Sequence, residues 1–228
     1  MKTTKLPKTT LTLAAAAFLA ATSQAAVINI DVQGTSFGGT VADYTGVSAN
    51  GPIASDNTWT YFNTVGVPDA GDSITVSGVT FTFGTGWWGT YGNAPNQNNL
   101  QADRAFTTAT GTGTFTISGL TPFGLYDLAL ITDLQSTDYT IGTTTMTASG
   151  GDLGALANGA LTFTGGVGHA LFSGISASDL GDITFSTTAA AGSNNGVLTG
   201  LQIDAVPEPS SAALLGLGGL ALILRRRK

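Results

Sequence analysis

Hydrophobic and polar residues alternate through most of the middle of the chain. Apolar side chains recur at every second position in short segments, and Gly, Pro, Asn, Asp or Ser separates these segments. A period of two is typical of β-strands that bury one face. The pattern predicts strands at residues 28–32, 58–63, 73–76, 79–83, 114–118, 125–132, 138–141, 144–148, 161–164, 169–172, 183–187 and 197–204. No stretch of this region has the period of a long helix.

Short strands with short connections predict one all-β domain, a β-sandwich or jelly roll, at residues 26–205. The dipeptide Ser77-Gly78 lies between two predicted strands and indicates a two-residue hairpin. Residues 84–101 lack alternation and predict a long loop. The chain contains no Cys, so the hydrophobic core must stabilise the domain without disulfides.

Both ends of the chain differ from this pattern. Residues 1–25 contain three lysines, an apolar run and the small-residue ending Ser23-Gln24-Ala25, which is typical of a secretory signal peptide. Residues 206–228 begin with Val206-Pro207-Glu208-Pro209, continue with an uncharged apolar run, and end with four cations. We expect the run to enter a membrane and the cations to stop its transfer; the cations are Arg225, Arg226, Arg227 and Lys228.

The three parts of this C-terminal segment, in this order, resemble the PEP-CTERM sorting signal of Gram-negative bacteria that make extracellular polymer. The resemblance implies recognition near Pro207-Glu208-Pro209 by an exosortase, a membrane-embedded processing enzyme. It further implies that the exported protein is held transiently at the inner membrane by its C-terminal helix. Release to the cell surface or the extracellular matrix would follow. The alternative is a plain C-terminal anchor, although a run of about 15 residues is shorter than a stable span requires.

Two short segments of residues 26–205, which we call the body, resemble parts of bacterial β-sandwich modules. Residues 117–122, followed by Tyr126-Asp127-Leu128, resemble a common strand–turn–strand unit, and residues 195–203 resemble the last strand of galactose-binding-like and malectin-like jelly rolls. In those folds a strand near the N-terminus lies beside the last strand. The resemblance therefore implies that residues 28–32 lie beside residues 197–204.

The net charge of residues 26–205 disfavours some classes of ligand. The chain has a net charge of −6, yet seven of its eight cations lie in the two terminal segments, and residues 26–205 contain one Arg and thirteen Asp. A net charge of −12 over these residues disfavours nucleic acid and anionic lipid as ligands. It suits a soluble exported domain, and it leaves divalent cations as candidate ligands.

Aromatic and polar residues concentrate in the predicted loop and its flanks. Aromatic faces can stack on sugar rings, while amide, carboxylate or guanidinium groups bind sugar hydroxyls. The candidate ligand-binding residues are Trp59, Trp87, Trp88, Tyr91, Asn93 and Arg104. The alternative is that one tryptophan enters the core and the aromatics only hold the loop. Arg104 is also expected to pair with a nearby aspartate, such as Asp103 or Asp127.

Two short acidic segments are candidate calcium sites. Asp69 and Asp72, and likewise Asp179 and Asp182, lie three residues apart with a glycine between them. Calcium prefers several oxygen ligands, which such segments can supply. An ordinary turn produces the same pattern, and neither segment matches an EF-hand loop. We expect no other cofactor.

Residue types needed for common catalytic sites are scarce. His169 is the one histidine, and the body contains no Gly-x-Ser-x-Gly, so neither a serine hydrolase triad nor a usual zinc site is expected. The sequence therefore predicts a non-catalytic structural or adhesive protein of the surface or matrix that contacts extracellular polysaccharide. The alternatives are a dedicated carbohydrate-binding module with a Trp-lined loop site and, more remotely, a glycan-active enzyme that uses aspartates.

Overall fold

The structure is a computed structural model that describes residues 26–34, 51–53, 58–64, 66–92, 99–154 and 161–207. Residues Ala25–Val206 form one compact unit. The elements are β1 (Ile28–Gly34), β2 (Trp59–Thr64), β3 (Ser73–Val76), β4 (Val79–Phe83), β5 (Gly89–Tyr91), α1 (Asn99–Ala102), β6 (Arg104–Phe106), β7 (Thr112–Ser118), β8 (Leu125–Ile131), β9 (Thr137–Ile141), β10 (Thr144–Ala148), β11 (His169–Ser176), β12 (Ile183–Ala189), β13 (Val197–Leu198) and β14 (Gly200–Ala205).

The strands form a β-sandwich with a small additional sheet, as the alternating pattern predicts. One sheet has the order β11-β8-β14-β1-β2, and the second has the order β10-β9-β12-β7-β4-β3. A three-stranded sheet, β13-β6-β5, completes the described part of the fold. β1 pairs antiparallel with β14, which confirms the expected contact between the first and last predicted strands. β1 also pairs in parallel with β2.

The core lies between the two large sheets. Inward side chains of the five-stranded sheet, such as Ile30 and Leu128, face those of the six-stranded sheet. Phe115 is at the centre, stacked on Phe185 at 5.2 Å between ring centroids and edge-on to Phe83 at 4.9 Å. These buried rings remove a large apolar area from water, which is the main source of stability in a domain without disulfides.

The outward face of the six-stranded sheet is uncharged apart from one aspartate. In the observed registers, every outward position of these strands is Ser or Thr except Asp138. Some of these hydroxyls bond across neighbouring strands, including Thr116 to Thr184 at 3.0 Å and Thr140 to Thr145 at 2.8 Å. The face is polar without adding charge, which agrees with the low content of charged residues in the chain.

The strand directions give the sandwich two distinct ends. The proximal end comprises residues 26–27, 77–78, 119–124, 177–182 and 206–207, where β1 begins and β14 ends. The distal end comprises residues 84–92, 104–111 and 132–136. The hairpin at the proximal end is confirmed, and positive φ at both Ser77 (52°) and Gly78 (84°) is typical of a type I′ turn.

The structure corrects three details of the sequence prediction. Residues 161–164 do not form a strand; Leu161 and Thr164 make only isolated bridges, to Gly154 and Val167. The predicted loop at 84–101 contains β5 and the first residues of α1. The predicted last strand is divided at Thr199 into β13 and β14, which belong to different sheets.

The terminal segments fall largely outside the described residues. The predicted signal peptide at 1–25 lies outside them. Of the C-terminal segment, only Val206 and Pro207 are described. Within the described residues, no helix is both long enough and apolar enough to cross a membrane.

Candidate functional site

A tight turn at the distal end separates the side chains of two adjacent tryptophans. Gly86 has a φ of 90°, and a Cβ at this position would lie 1.8 Å from the carbonyl oxygen of Thr112. Glycine is the residue that tolerates both this backbone conformation and such a close approach. The direction of the chain through residues 86–88 therefore depends on Gly86.

Trp87 is part of the core. Its side chain is 7% exposed, its Nε1 donates a hydrogen bond to the carbonyl oxygen of Thr114 at 2.8 Å, and its ring meets Phe83 edge-on at 5.2 Å. The indole has its polar partner and its apolar neighbours inside the sandwich. The prediction that Trp87 lines a ligand surface is therefore wrong, because a buried ring cannot stack on a ligand.

Trp88 faces solvent. Its side chain is 50% exposed, and its ring lies against Phe106 with the ring centroids 5.6 Å apart. The backbone N–H of Trp88 donates to the carbonyl oxygen of Phe106 at 2.9 Å, which fixes the residue against β6. One edge of the indole is thus held by the protein while much of its surface remains available to a ligand.

Trp59 is not available in the same way. It is 6% exposed and packs in a second apolar cluster with Leu100, Ile131, Leu153 and Leu161. This cluster also contains residues from α1 and from the segment before β11. Trp59 is therefore a packing residue, and its prediction as a ligand-binding residue is wrong. Asn93 lies outside the described residues.

Arg104 and Tyr91 lie opposite each other on β6 and β5. The guanidinium carbon of Arg104 is 5.5 Å from the centroid of the Tyr91 ring, a cation–π distance. Arg104 also forms an ion pair with Asp133, through Nη1 and Oδ2. Its partner is therefore Asp133, which the sequence did not indicate, and not Asp127.

Asp133 holds Arg104 from inside the protein. The Asp133 side chain is fully buried, whereas that of Arg104 is 22% exposed. Oδ1 of Asp133 accepts a hydrogen bond from the backbone N–H of Gln135 at 2.7 Å. Burial raises the pKa of the Asp133 carboxyl above its usual range, and the neighbouring Arg104 guanidinium partly offsets that rise. The carboxyl thus orients Arg104 from below and is shielded from solvent.

Together these residues form one surface at the distal end, which we call the distal aromatic surface: Trp88, Tyr91, Arg104 and the underlying Phe106. It offers a half-exposed indole, a half-buried phenol ring and a partly exposed guanidinium on a supported sheet. Such a surface can stack on an apolar ring face and donate hydrogen bonds to hydroxyl oxygens. Phe106 and Asp133 support it and were missed because both follow from pairings distant in sequence.

The two acidic segments are hydrogen-bonded turns. In the first, the N–H of Asp69 donates to Oδ2 of Asp72, and the N–H of Asp72 donates to the carbonyl oxygen of Asp69, both at 3.0 Å. In the second, Oγ of Ser178 accepts from the N–H groups of Leu180 (3.2 Å) and Asp182 (3.0 Å). These bonds account for both turns without a cation.

Other ionisable groups in the described ranges are dispersed or buried. No three His, Asp or Glu side chains among those residues lie together in a way that could hold a metal ion. His169 is at the start of β11 and is 7% exposed, with its ring against Phe163 at 5.5 Å and Nδ1 3.0 Å from the carbonyl oxygen of Val167. The histidine is therefore enclosed by its neighbours.

The C-terminal segment has a counterpart among known protein families. Residues 205–228 match the family model described as the PEP-CTERM protein-sorting motif. The chain carries a PEP-CTERM sorting motif. The match covers the predicted residues Val206, Pro207, Glu208 and Pro209 and the cations at 225–228. A PEP-CTERM motif implies export, membrane-anchored sorting and processing by an exosortase.

The chain as a whole is similar to the crystal structure of protein YXIM from Bacillus subtilis, with 14% sequence identity and a TM-score of 0.40. The similarity covers 79% of this chain and 40% of that one, so the chain spans less than half the length of that protein. No curated protein sequence matches the chain.

Proposed function

We propose that this exported protein is a non-catalytic structural or adhesive component of the cell surface or extracellular matrix. In this proposal, the distal aromatic surface contacts neutral polysaccharide after the exosortase has processed the C-terminus. The observation that carries the proposal is the half-exposed Trp88, which is fixed on Phe106 beside the Tyr91–Arg104 pair. Exposed aromatic rings on rigid support are suited to binding because little conformational freedom is lost.

Charge favours a neutral polymer. Arg104 is the one cation in the body, and it is already paired with Asp133, whereas the body contains thirteen aspartates. An anionic polysaccharide would meet repulsion over most of the surface. A neutral glycan meets no such barrier and can use both the indole face and the guanidinium donors.

A dedicated carbohydrate-binding module is the second candidate. Its support is the same surface, but the burial of Trp59 and Trp87 leaves one substantially exposed indole among the described residues. One indole on an open surface suits a shallow contact that gains strength from many copies along a polymer. A closed site for one oligosaccharide would need more enclosing side chains.

Tryptophan fluorescence of the full chain can test the proposed contact. Titration with neutral glucans, mannans and xylans, and with an anionic polysaccharide as a comparison, should shift the emission for at least one neutral glycan. Trp88→Ala should weaken that binding about tenfold or more, equivalent to roughly 1.4 kcal/mol. The affinities of the variants are measured by isothermal titration calorimetry, because Trp88→Ala lacks the indole that reports the emission shift. Trp88→Phe keeps an aromatic face and should retain part of the affinity. A calcium titration of the same samples tests whether the Asp69–Asp72 or Asp179–Asp182 turn affects binding.

The control separates binding from folding. Leu134, at the distal end, is 53% exposed, so Leu134→Ala removes a comparable exposed apolar side chain outside the distal aromatic surface. It should bind as the unmodified protein does. Absence of a shift with every glycan, or equal affinity of Trp88→Ala and Leu134→Ala, would refute the proposed polysaccharide contact.

A further inference from the structure

The two most exposed large hydrophobic side chains of the described residues lie together at the proximal end. Leu180 is 78% exposed and Phe123 is 67% exposed, and Leu125 nearby is 40% exposed. The loops that carry them are joined by backbone hydrogen bonds, from Phe123 N–H to Ser178 at 3.2 Å and from Leu120 N–H to Gly181 at 3.0 Å. The two tips therefore form one apolar surface, which we call the proximal apolar patch: Phe123, Leu125 and Leu180.

Phe123 occupies a backbone position that disfavours it. The N–H of Gly124 donates to the carbonyl oxygen of Thr121 at 2.9 Å, which closes a four-residue turn with Pro122 in its second position. Phe123, in the third position, has a φ of 58°. Glycine or asparagine is favoured at such a position, and a bulky residue there is strained. The turn thus holds an aromatic ring in solvent at a conformational cost, which the packing of Phe123 does not explain.

The patch adjoins the point where the chain leaves the sandwich. The N–H of Val206 donates to the carbonyl oxygen of Leu125 at 2.9 Å, so the last described residues start beside the patch. An open apolar cavity of about 310 Å³ lies at the same end, and Leu120, Tyr126 and Ala205 are among the residues that line it. The patch and this cavity therefore both lie at the end where the chain leaves the sandwich.

The length of the following segment limits how far this end can be from a membrane. Three residues, Pro207 to Pro209, separate Val206 from the uncharged apolar run that starts at Ser210. Four residue steps span at most about 14 Å even when fully extended. When the sorting motif holds that run in a bilayer, the proximal end must lie within this distance of the lipid.

We propose that the proximal apolar patch docks on the membrane interface while the PEP-CTERM segment anchors the protein, before it is processed. Phe123 and Leu180 enter the boundary between headgroups and acyl chains, where apolar and aromatic side chains are favoured. The anchor supplies a high effective concentration, so the patch need not bind lipid strongly by itself. Docking directs the distal aromatic surface away from the membrane, and the contact weakens once the anchor is cut.

The charges beside the patch select the lipid. Asp179 and Asp182 flank Leu180, and no cation lies among the described residues of the proximal end. A zwitterionic interface accepts the patch, whereas an anionic one repels these carboxylates. The occupant we infer is therefore a neutral or zwitterionic lipid surface.

The test places a fluorescent reporter in the patch of the full chain. The variants Phe123→Trp and Leu180→Trp are reconstituted into phosphatidylcholine vesicles whose acyl chains carry bromine, which quenches nearby indoles. Leu134→Trp, at the distal end, is the matched control because Leu134 is also an exposed apolar residue (53%). We expect the additional indole in either patch variant to be quenched about twofold or more above that in the control, as a side chain some 5–10 Å into the interface would be. Partial replacement by phosphatidylglycerol should reduce the difference.

Two outcomes overturn the proposal. Equal quenching in Leu180→Trp and Leu134→Trp shows that the patch does not reach lipid, and this comparison remains decisive if Phe123→Trp does not fold. Shielding of both patch indoles from aqueous acrylamide without quenching by brominated lipid identifies a protein occupant, such as a second copy of the chain. Flotation of the same vesicles shows whether the chain is anchored, so a failed anchor is distinguished from a failed dock. The proposed glycan contact of Trp88 does not depend on the quenching, the acrylamide shielding or the flotation result.

Discussion

At the scale of single residues, the ion pair between Arg104 and Asp133 couples the distal surface to stability. Arg104→Met leaves the buried Asp133 carboxyl without its cation, and we expect the free energy of unfolding at pH 7 to fall by about 3 kcal/mol. The variant is measured by urea unfolding. Asp133→Asn leaves Arg104, which can reach solvent, and should cost less.

The pH dependence of this cost has a definite sign. Burial already raises the pKa of Asp133 in the folded state above its ordinary value near 3.8, and losing Arg104 raises it further. The folded protein then keeps the proton to a higher pH than the unfolded chain does. The destabilisation of Arg104→Met is therefore full above the folded pKa and shrinks as the pH falls towards 3.8. A pH-independent cost would contradict the assignment of the effect to Asp133.

The adjacent tryptophans provide a second residue-scale prediction. Trp87→Ala removes a buried ring from among Phe83 and its neighbours and should cost about 3–5 kcal/mol of unfolding free energy. Trp88→Ala removes a half-exposed ring and should cost about 1 kcal/mol or less. Thermal and urea unfolding of the two variants test this difference. Similar costs for both would show that the two indoles are not separated as the structure has them.

At the scale of elements, Gly86 positions the segment that joins β4 to β5. Gly86→Ala combines a positive φ with a Cβ 1.8 Å from the Thr112 carbonyl oxygen, so the backbone must move. We expect a loss of about 2 kcal/mol or more and weaker glycan binding, because Trp88 follows two residues later. Gly142→Ala is the control, since its φ is also positive (57°) but open space surrounds it, and it should cost only about 1 kcal/mol. Equal costs would rule out the steric contribution.

Local patterns account for most elements but not for the distal aromatic surface. Strands such as β3, β4 and β10 were predicted with their observed bounds, because alternation and the Ser77-Gly78 turn are local signals. The three-stranded sheet could not be predicted in the same way. β13, β6 and β5 are two or three residues long and are defined by pairing with distant segments.

The candidate site was also predicted only in part. Composition identified Trp88, Tyr91 and Arg104 as candidates, and the structure brings these three together. It could not decide which tryptophan enters the core, because both occur in one short polar segment without a period. The pairing of Arg104 with Asp133 joins residues 29 positions apart and depends on how the sheets pack.

At the scale of the whole molecule, the sorting motif and the proposed glycan contact lie at different ends of the domain. The proximal end holds the exit to the sorting motif, and the distal end holds the exposed indole. Almost all positive charge of the chain lies in the terminal segments, whereas the body carries a net charge of −12. This distribution is what the predicted signal peptide and sorting segment require, because cations beside an apolar run stop its transfer through a membrane.

The role of the motif itself gives the last prediction. Replacing Pro207, Glu208 and Pro209 by Ala leaves the apolar run and its cations intact, so insertion should continue, but the exosortase loses its recognition sequence. We expect a full-length, membrane-retained form in cells that process the unmodified protein. Immunoblots of membrane and culture fractions measure the ratio of the two forms. Pro52→Ala, which changes a proline of the body, is the control and should be processed normally. Unchanged processing of the triple variant would place exosortase recognition elsewhere in the segment, whereas loss of the membrane form would show that these residues are needed for anchoring.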